Sequence, residues 1–203
     1  MIKLILFDLG GVIIKIPDNK NYDRLGKVAG TSSANAERIV KEKAELFESG
    51  KITLSEFEKR AARELKIDPK EVQWLTFFKK MAKPDRAMIK LVTELKRNYT
   101  IAYLSNADRW RHGHVRNHVI KKFEYLFDYK FVSFKLGCVK PYPPIYKKVL
   151  VELRLKPSEV IFIDNVSKNV MGARAVGINS IIFTGIKKLE SDLKECGIKF
   201  KQV

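Results

Sequence analysis

Ile2-Lys3-Leu4-Ile5-Leu6-Phe7-Asp8-Leu9-Gly10-Gly11-Val12 decides the fold. The apolar run before Asp8 is rich in branched residues and reads as a strand buried on both faces, as in a parallel sheet. It stops at a carboxylate, so Asp8 falls at the C-terminal end of the first strand. Gly10 and Gly11 let the backbone turn sharply just beyond it. In open α/β sheets that edge is where ligands bind. A carboxylate held there beside backbone N–H groups is placed to act as a nucleophile or to hold a metal. An Asp that merely caps a buried turn is the competing reading of this segment alone.

The rest of the chain supports a sheet of that kind. Its 203 residues, 45% of them hydrophobic, suit one α/β domain or a core with a small insert. Two cysteines, Cys138 and Cys196, give neither a disulfide framework nor a zinc pattern, and they point to reduced thiols inside the cell. The N-terminal apolar run carries Asp8 and lacks a small-residue cleavage site, so it reads as a core strand rather than a signal peptide. No uncharged apolar run reaches membrane-spanning length. The expected location is the cytoplasm, with no membrane partner. The net charge is +17, yet the basic residues are scattered and no dense run is interleaved with aromatics. Solvated surface charge, or steering of a small anionic substrate, is expected ahead of a nucleic-acid partner.

Residues 22–83 read as several helices and no strand. Helical spacing runs from Ala34 to Phe47, with Gly50 as the closing residue. Thr53 and Glu56 resemble a capping box for a helix to Leu65. Asp68-Pro69 opens another, with an apolar face over Val72 to Met81. In Trp74, Phe77 and Phe78 the spacing argues burial rather than a base-stacking platform. Lys83-Pro84-Asp85 is a boundary, and beyond it helices and strands alternate. The strands are read at Thr100 to Leu104, Lys130 to Phe134, Val160 to Ile163 and Ser180 to Thr184. The helices are read at Arg86 to Arg97, Pro143 to Leu153 and Ser167 to Val176. Such alternation implies a doubly wound parallel sheet, Rossmann-like in class. The expected organisation is a core of residues 1–15 and 85–203 with a helical cap of residues 16–84 inserted after the first strand.

Three of the strands end in polar residues at one edge: Asp8, Ser105-Asn106 and Asp164-Asn165. Lys140 sits in the turn Gly137-Cys138-Val139-Lys140-Pro141. This set suits phosphoryl transfer. In such a transfer Asp8 would attack phosphorus and become an aspartyl-phosphate. Ser105, Asn106 and the backbone around Gly11 bind phosphoryl oxygens, and Lys140 neutralises the charge that develops. Asp164 helps to hold Mg²⁺, which takes oxygen ligands.

Phe7-Asp8-Leu9-Gly10-Gly11-Val12, Leu104-Ser105-Asn106, Lys140-Pro141 and Phe162-Ile163-Asp164-Asn165, with Asn169, Gly172-Ala173 and Gly177 behind them, resemble the four motifs of the haloacid dehalogenase superfamily. They arrive in the expected order and span most of the chain. The wording FDLGGV, Trp110 after LSN, and Leu136 to Tyr146 are similar to the branch of glucose-1-phosphate phosphatase-like proteins and the N-terminal domain of soluble epoxide hydrolase. The resemblance implies a Rossmann-like core with a helical cap, and hydrolysis of a small phosphorylated metabolite such as a sugar phosphate. It also implies a Mg²⁺ set of Asp8, the Gly10 carbonyl, Asp164, Asn165 and Asn169.

The chain departs from that pattern twice. Gly10 stands where the family usually has a second Asp that protonates the leaving group. Asn165 stands where the branch usually has the second Asp of a pair. The rival reading is therefore a weakened relative that binds a phosphorylated ligand or a partner. A nucleic-acid-associated protein and a dehalogenase rank behind it. His112, His114 and His118 follow the second motif and are candidates to replace the missing acid, against the plainer reading of solvated histidines on a basic helix. Arg109 and Trp110 read as packing with charge at the rim.

Overall fold

A computed structural model describes residues 1–16, 21–74 and 82–201. Its centre is a five-stranded parallel sheet. The strands are β1 (Leu4–Phe7), β4 (Thr100–Ser105), β5 (Tyr129–Val132), β6 (Val160–Asp164) and β7 (Asn179–Ile182), in the order β5-β4-β1-β6-β7. Every residue of β1 is fully buried, as its unbroken apolar run requires. Alternation then divides the strand between two layers. Ile5 and Phe7 face α4 (Arg86–Leu95) and α9 (Ile186–Glu195), while Leu4 and Leu6 face α7 (Pro143–Leu153) and α8 (Ser167–Arg174). Asp8 follows Phe7 directly, and its N–H donates to the Ile163 carbonyl at 2.8 Å, which sets it level with Asp164. Pairing of Phe7 with Tyr103 brings Ser105 to the same edge.

The chain leaves this core after β1 through a two-residue strand, β2 (Ile14–Lys15), and returns through β3 (Lys83–Pro84). The two pair antiparallel. Between them lie α1 (Asn21–Val28), α2 (Ser33–Glu48) and α3 (Leu54–Leu65). These helices bury their own apolar faces, with Leu25, Ile39, Val40, Phe47, Phe57 and Trp74 in one cluster. Thr53 and Glu56 form the expected capping box at the start of α3, and Gly50 takes φ +70° just past α2. Trp74 is buried edge-on to Phe57, with ring centroids 5.3 Å apart. Phe77 and Phe78 lie outside the described residues, as does the stretch of apolar face from 75 to 81.

Several boundaries differ from the sequence reading. Asp68-Pro69 opens a single 3-10 turn, Pro69–Glu71, within the described residues. The strand expected to reach Phe134 ends at Val132, and Ser133–Leu136 coils into a short helix, α6. Ser133 Oγ donates to the Glu48 carbonyl at 2.6 Å and accepts from the Ala107 N–H at 3.0 Å, contacts that pull it out of the strand. The pair β2–β3 is a strand pair that two residues a side cannot announce by periodicity. Helix α5 (Arg109–His118) starts at Asp108, whose carboxylate accepts from the N–H groups of Trp110 and Arg111.

Candidate active site

Lys140 organises the sheet edge. Its side chain is nearly fully buried, and its ammonium donates to Asp8 Oδ1 and to Asp164 Oδ2, both at 2.7 Å. Three charges therefore share one enclosed space. Burial alone would lower the Lys140 pKa, but the two carboxylates outweigh it and hold the ammonium above its ordinary range. Asp8 is pushed up to about 6, chiefly by burial, against the pull of Lys140 and with the help of the Asp164 charge. Removing the lysine would leave two buried carboxylates facing each other, a cost of about 3–5 kcal/mol for a broken buried pair.

The surrounding elements hold this triad in place. Asp164 Oδ1 accepts the Val166 N–H at 2.8 Å, and Asp164 Oδ2 also accepts from Asn169 Nδ2 at 3.0 Å. The Tyr146 hydroxyl donates to the Asn169 carbonyl at 2.7 Å, tying α8 to α7. Asn106 braces the lysine loop twice: its Nδ2 donates to the Lys140 carbonyl and its Oδ1 accepts the Lys140 N–H, each at 2.9 Å. Two of its hydrogen-bonding positions are thus given to the loop, and the amide keeps a second N–H on the cavity lining. Asn169 likewise orients Asp164 through its amide nitrogen.

A cavity of about 430 Å³ opens above Asp8. Asp8, Gly10, Ser105, Asn106, Lys140 and Asn169 line it, so the structure brings most of the expected residues together. Gly11, Asp164 and Asn165 do not line it. Gly11 takes φ +86°, and a Cβ there would lie 2.5 Å from Asn165 Nδ2, so the two residues meet beside the cavity. His112 and His114 line the cavity and His118 does not. His112 has its Nε2 3.2 Å from the Tyr103 hydroxyl, and burial lowers its pKa. His114 stacks flat on Trp110, with centroids 5.5 Å apart. Trp110 packs against the apolar cluster of α1–α3, while Arg109 lies over the Phe134 ring.

Sequence reasoning missed the contribution of the helical insert. Tyr22 from α1 and Val40, Lys41, Ala44, Glu45 and Glu48 from α2 line the same cavity, as does Lys168 on α8. No local motif marks these positions, because only the tertiary fold carries α2 over the sheet edge.

The donors at that edge are all oxygen: carboxylates at Asp8 and Asp164, the Gly10 carbonyl, and carboxamides at Asn165 and Asn169. That chemistry fits a hard divalent cation. It is poor in charge, and among the described residues no group of three His, Cys, Asp or Glu side chains is set to hold a metal ion.

A parallel sheet carrying an enclosed carboxylate–lysine–carboxylate triad at its C-terminal edge, under inserted helices, defines a class of hydrolase-like α/β proteins. The profile described as haloacid dehalogenase-like hydrolase matches residues 2–177, and the chain belongs to that family. It is 28% identical over 191 residues to a D-ribitol-5-phosphate phosphatase of Bacteroides thetaiotaomicron, covering 89% of this chain and 91% of that protein. It is 39% identical over 69 residues to bifunctional epoxide hydrolase 2 of Rattus norvegicus, but those residues are 34% of this chain and only 12% of that protein. Among solved structures it is similar to a haloacid dehalogenase family enzyme of Bacteroides thetaiotaomicron in complex with magnesium and inorganic phosphate. The TM-score is 0.67 and the identity 25%, over 90% of this chain and 94% of that one.

Proposed function

We propose that this protein is a phosphatase that cleaves small phosphate monoesters through an aspartyl-phosphate on Asp8. The observation that carries the reading is the Lys140 ammonium bridging Asp8 and Asp164 at the floor of the cavity. Lys140 keeps Asp8 oriented while the carboxylate attacks phosphorus, and it offsets charge on the phosphoryl oxygens as the ester bond breaks. Ser105 supplies a hydroxyl to those oxygens. Asp164 fixes the lysine, and Asn169 and Asn106 fix Asp164 and the lysine loop. The leaving oxygen departs with a proton taken from solvent, and water then hydrolyses the acyl phosphate, which releases inorganic phosphate and regenerates Asp8. Asp8, the Gly10 carbonyl, Asp164 and Asn165 would hold Mg²⁺, which screens the approach of an anionic phosphate to a carboxylate. The phosphatase and magnesium-bound relatives support this assignment. In this reading α1–α3 act as a cap that excludes water and sets specificity. Among the described residues no helix is long and apolar enough to cross a membrane. We place the protein in the cytoplasm, acting on small anionic esters without a nucleic-acid or membrane partner.

The test is turnover of p-nitrophenyl phosphate with and without Mg²⁺, beside Asp8→Asn. Its leaving group needs no acid, so Gly10 does not mask competence. Metal-dependent release that disappears in the variant is the expected result. No release at millimolar Mg²⁺ would instead support a relative that binds phosphorylated ligands without turning them over, the reading that Gly10 and Asn165 motivate.

A further inference from the structure

The cavity above Asp8 is built from two chemistries. Its floor is polar and is taken up by Asp8, Lys140, Ser105 and Asn106. Its walls are largely carbon: Ile14 and Ile16 at the exit toward the insert, Val40 and Ala44 from α2, and Trp110 and Val115 from α5. Several polar side chains that reach those walls are already engaged. Arg111 is held by Asp108 and Glu48, Glu45 accepts from the Tyr142 hydroxyl at 3.1 Å, and His112 meets the Tyr103 hydroxyl. Lys41 is drawn outward to Glu37 at 2.7 Å, with its side chain 67% exposed. A second feature points the same way. Ile16 and Val166 both line the cavity, yet each remains more than a third exposed, at 40% and 37%. They are apolar groups at a mouth that an apolar occupant would cover.

A polyol chain placed against these walls would give up water at several hydroxyls, and its remaining partners would be Lys168 and the spare acceptor positions of Glu45 and Glu48. An apolar body loses no hydrogen bonds there and removes Ile16 and Val166 from water. We propose, resting on the phosphatase reading of Asp8, that the alcohol released at this site is compact and mainly apolar, with an aromatic or branched carbon framework, rather than a polyol. The 430 Å³ volume accommodates a framework of that size. Val40, Ala44 and Ile16 are then specificity-determining residues, set by the insert and the segment that leads into it.

The experiment compares kcat/KM of the Mg²⁺-loaded full-length protein for phenyl phosphate, 3-methylbutyl phosphate and ribitol 5-phosphate. The last two are both esters of primary alcohols, so their difference reports the pocket more than the leaving group. At least a tenfold advantage for 3-methylbutyl phosphate, carried mainly by KM, is expected, and Val40→Thr should narrow it severalfold. The phenyl arm shows whether the aromatic or the branched framework fits better. Turnover with ribitol 5-phosphate equal or preferred would overturn this proposal and leave the phosphatase reading standing. Calorimetric titration of the same esters into Asp8→Asn reads binding without turnover. Tighter binding of the apolar esters there, with no hydrolysis by the wild type, would overturn hydrolysis while supporting the apolar pocket. Equal binding of all three would overturn the apolar pocket itself.

Discussion

In the proposed Mg²⁺ site, Asn165 would set how much charge a cation meets. Its amide lies so close to Gly11 that a Cβ on that glycine would have no room, and Asp is nearly the same size as Asn. Asn165→Asp therefore changes charge with little change in shape. In the absence of metal it adds an exposed carboxylate next in sequence to Asp164, and because solvent screens the like-charge repulsion stability should fall by no more than about 0.5 kcal/mol. With Mg²⁺ the sign reverses, because a hard cation gains from each added anionic oxygen. Binding should tighten about tenfold, which corresponds to ~1.4 kcal/mol. Calorimetric titration of Mg²⁺ into both proteins, with urea unfolding in chelator, checks both halves. Equal Mg²⁺ affinity in the two proteins would show that position 165 is not a ligand. The residues of this edge were legible in the sequence because each ends an apolar strand abruptly: Phe7 gives way to Asp8, Leu104 to Ser105, Ile163 to Asp164. What the sequence could not show is that Asn106 and Asn169 spend their amides on Lys140 and Asp164, since those bonds depend on loops meeting across the sheet.

At the scale of elements, α8 is the piece on which the lysine loop rests. Gly172 faces the carbonyl of Pro141, and a Cβ there would come within 2.0 Å of that oxygen. Propensity alone favours Ala over Gly inside a helix by about 1 kcal/mol. Here contact wins, because the neighbour is backbone and cannot rotate away. Gly172→Ala should destabilise by about 1–3 kcal/mol, the usual cost of overpacking. It should also cut kcat well beyond the fraction unfolded, since Pro141 follows Lys140 directly. Urea midpoints beside phosphatase rates test this; a variant as stable as the wild type with unchanged rate would show the contact to be soft. Strands and helices of the core were legible for a related reason. β1, β4 and β6 are buried on both faces and so appear as unbroken apolar runs, and the capping box at Thr53 and Glu56 is a local signal for a local event. The end of β5 was not legible, because Ser133 leaves the strand to bond Glu48 and Ala107, residues 85 and 26 positions away.

Across the whole molecule, a largely shielded cation joins the insert to the core. Arg111 on α5 pairs with Asp108 at the start of its own helix, and its Nη2 lies 2.6 Å from Glu48 Oε1 at the end of α2. Burial would lower the guanidinium pKa, but the two carboxylates override it and hold it above its ordinary value. The side chains are mostly shielded, at 23% exposure for Arg111, 17% for Glu48 and 2% for Asp108. This is unlike the many lysines of the surface, where pairs contribute little. Ser133 adds its bond to the Glu48 carbonyl, and Tyr142 reaches Glu45 one turn earlier. The insert therefore docks through the last turn of α2, above the same cavity that Asp8 floors. Nothing in the sequence singles out Arg111 among 40 basic residues, since its partner lies 63 positions away. Arg111→Met keeps much of the volume and removes the charge. It strands the Asp108 and Glu48 carboxylates in a shielded site, and a loss of about 3 kcal/mol or more is expected. If the insert acts as a cap, its loosened docking should raise KM more than it lowers kcat, and limited proteolysis should cut first within the insert. Glu48→Gln, which retains a hydrogen-bond acceptor, should show the same KM effect with a smaller stability loss. A variant at position 111 that is destabilised but keeps its KM and its protease resistance would confine this ion pair to holding the fold, with no part in closing the cavity.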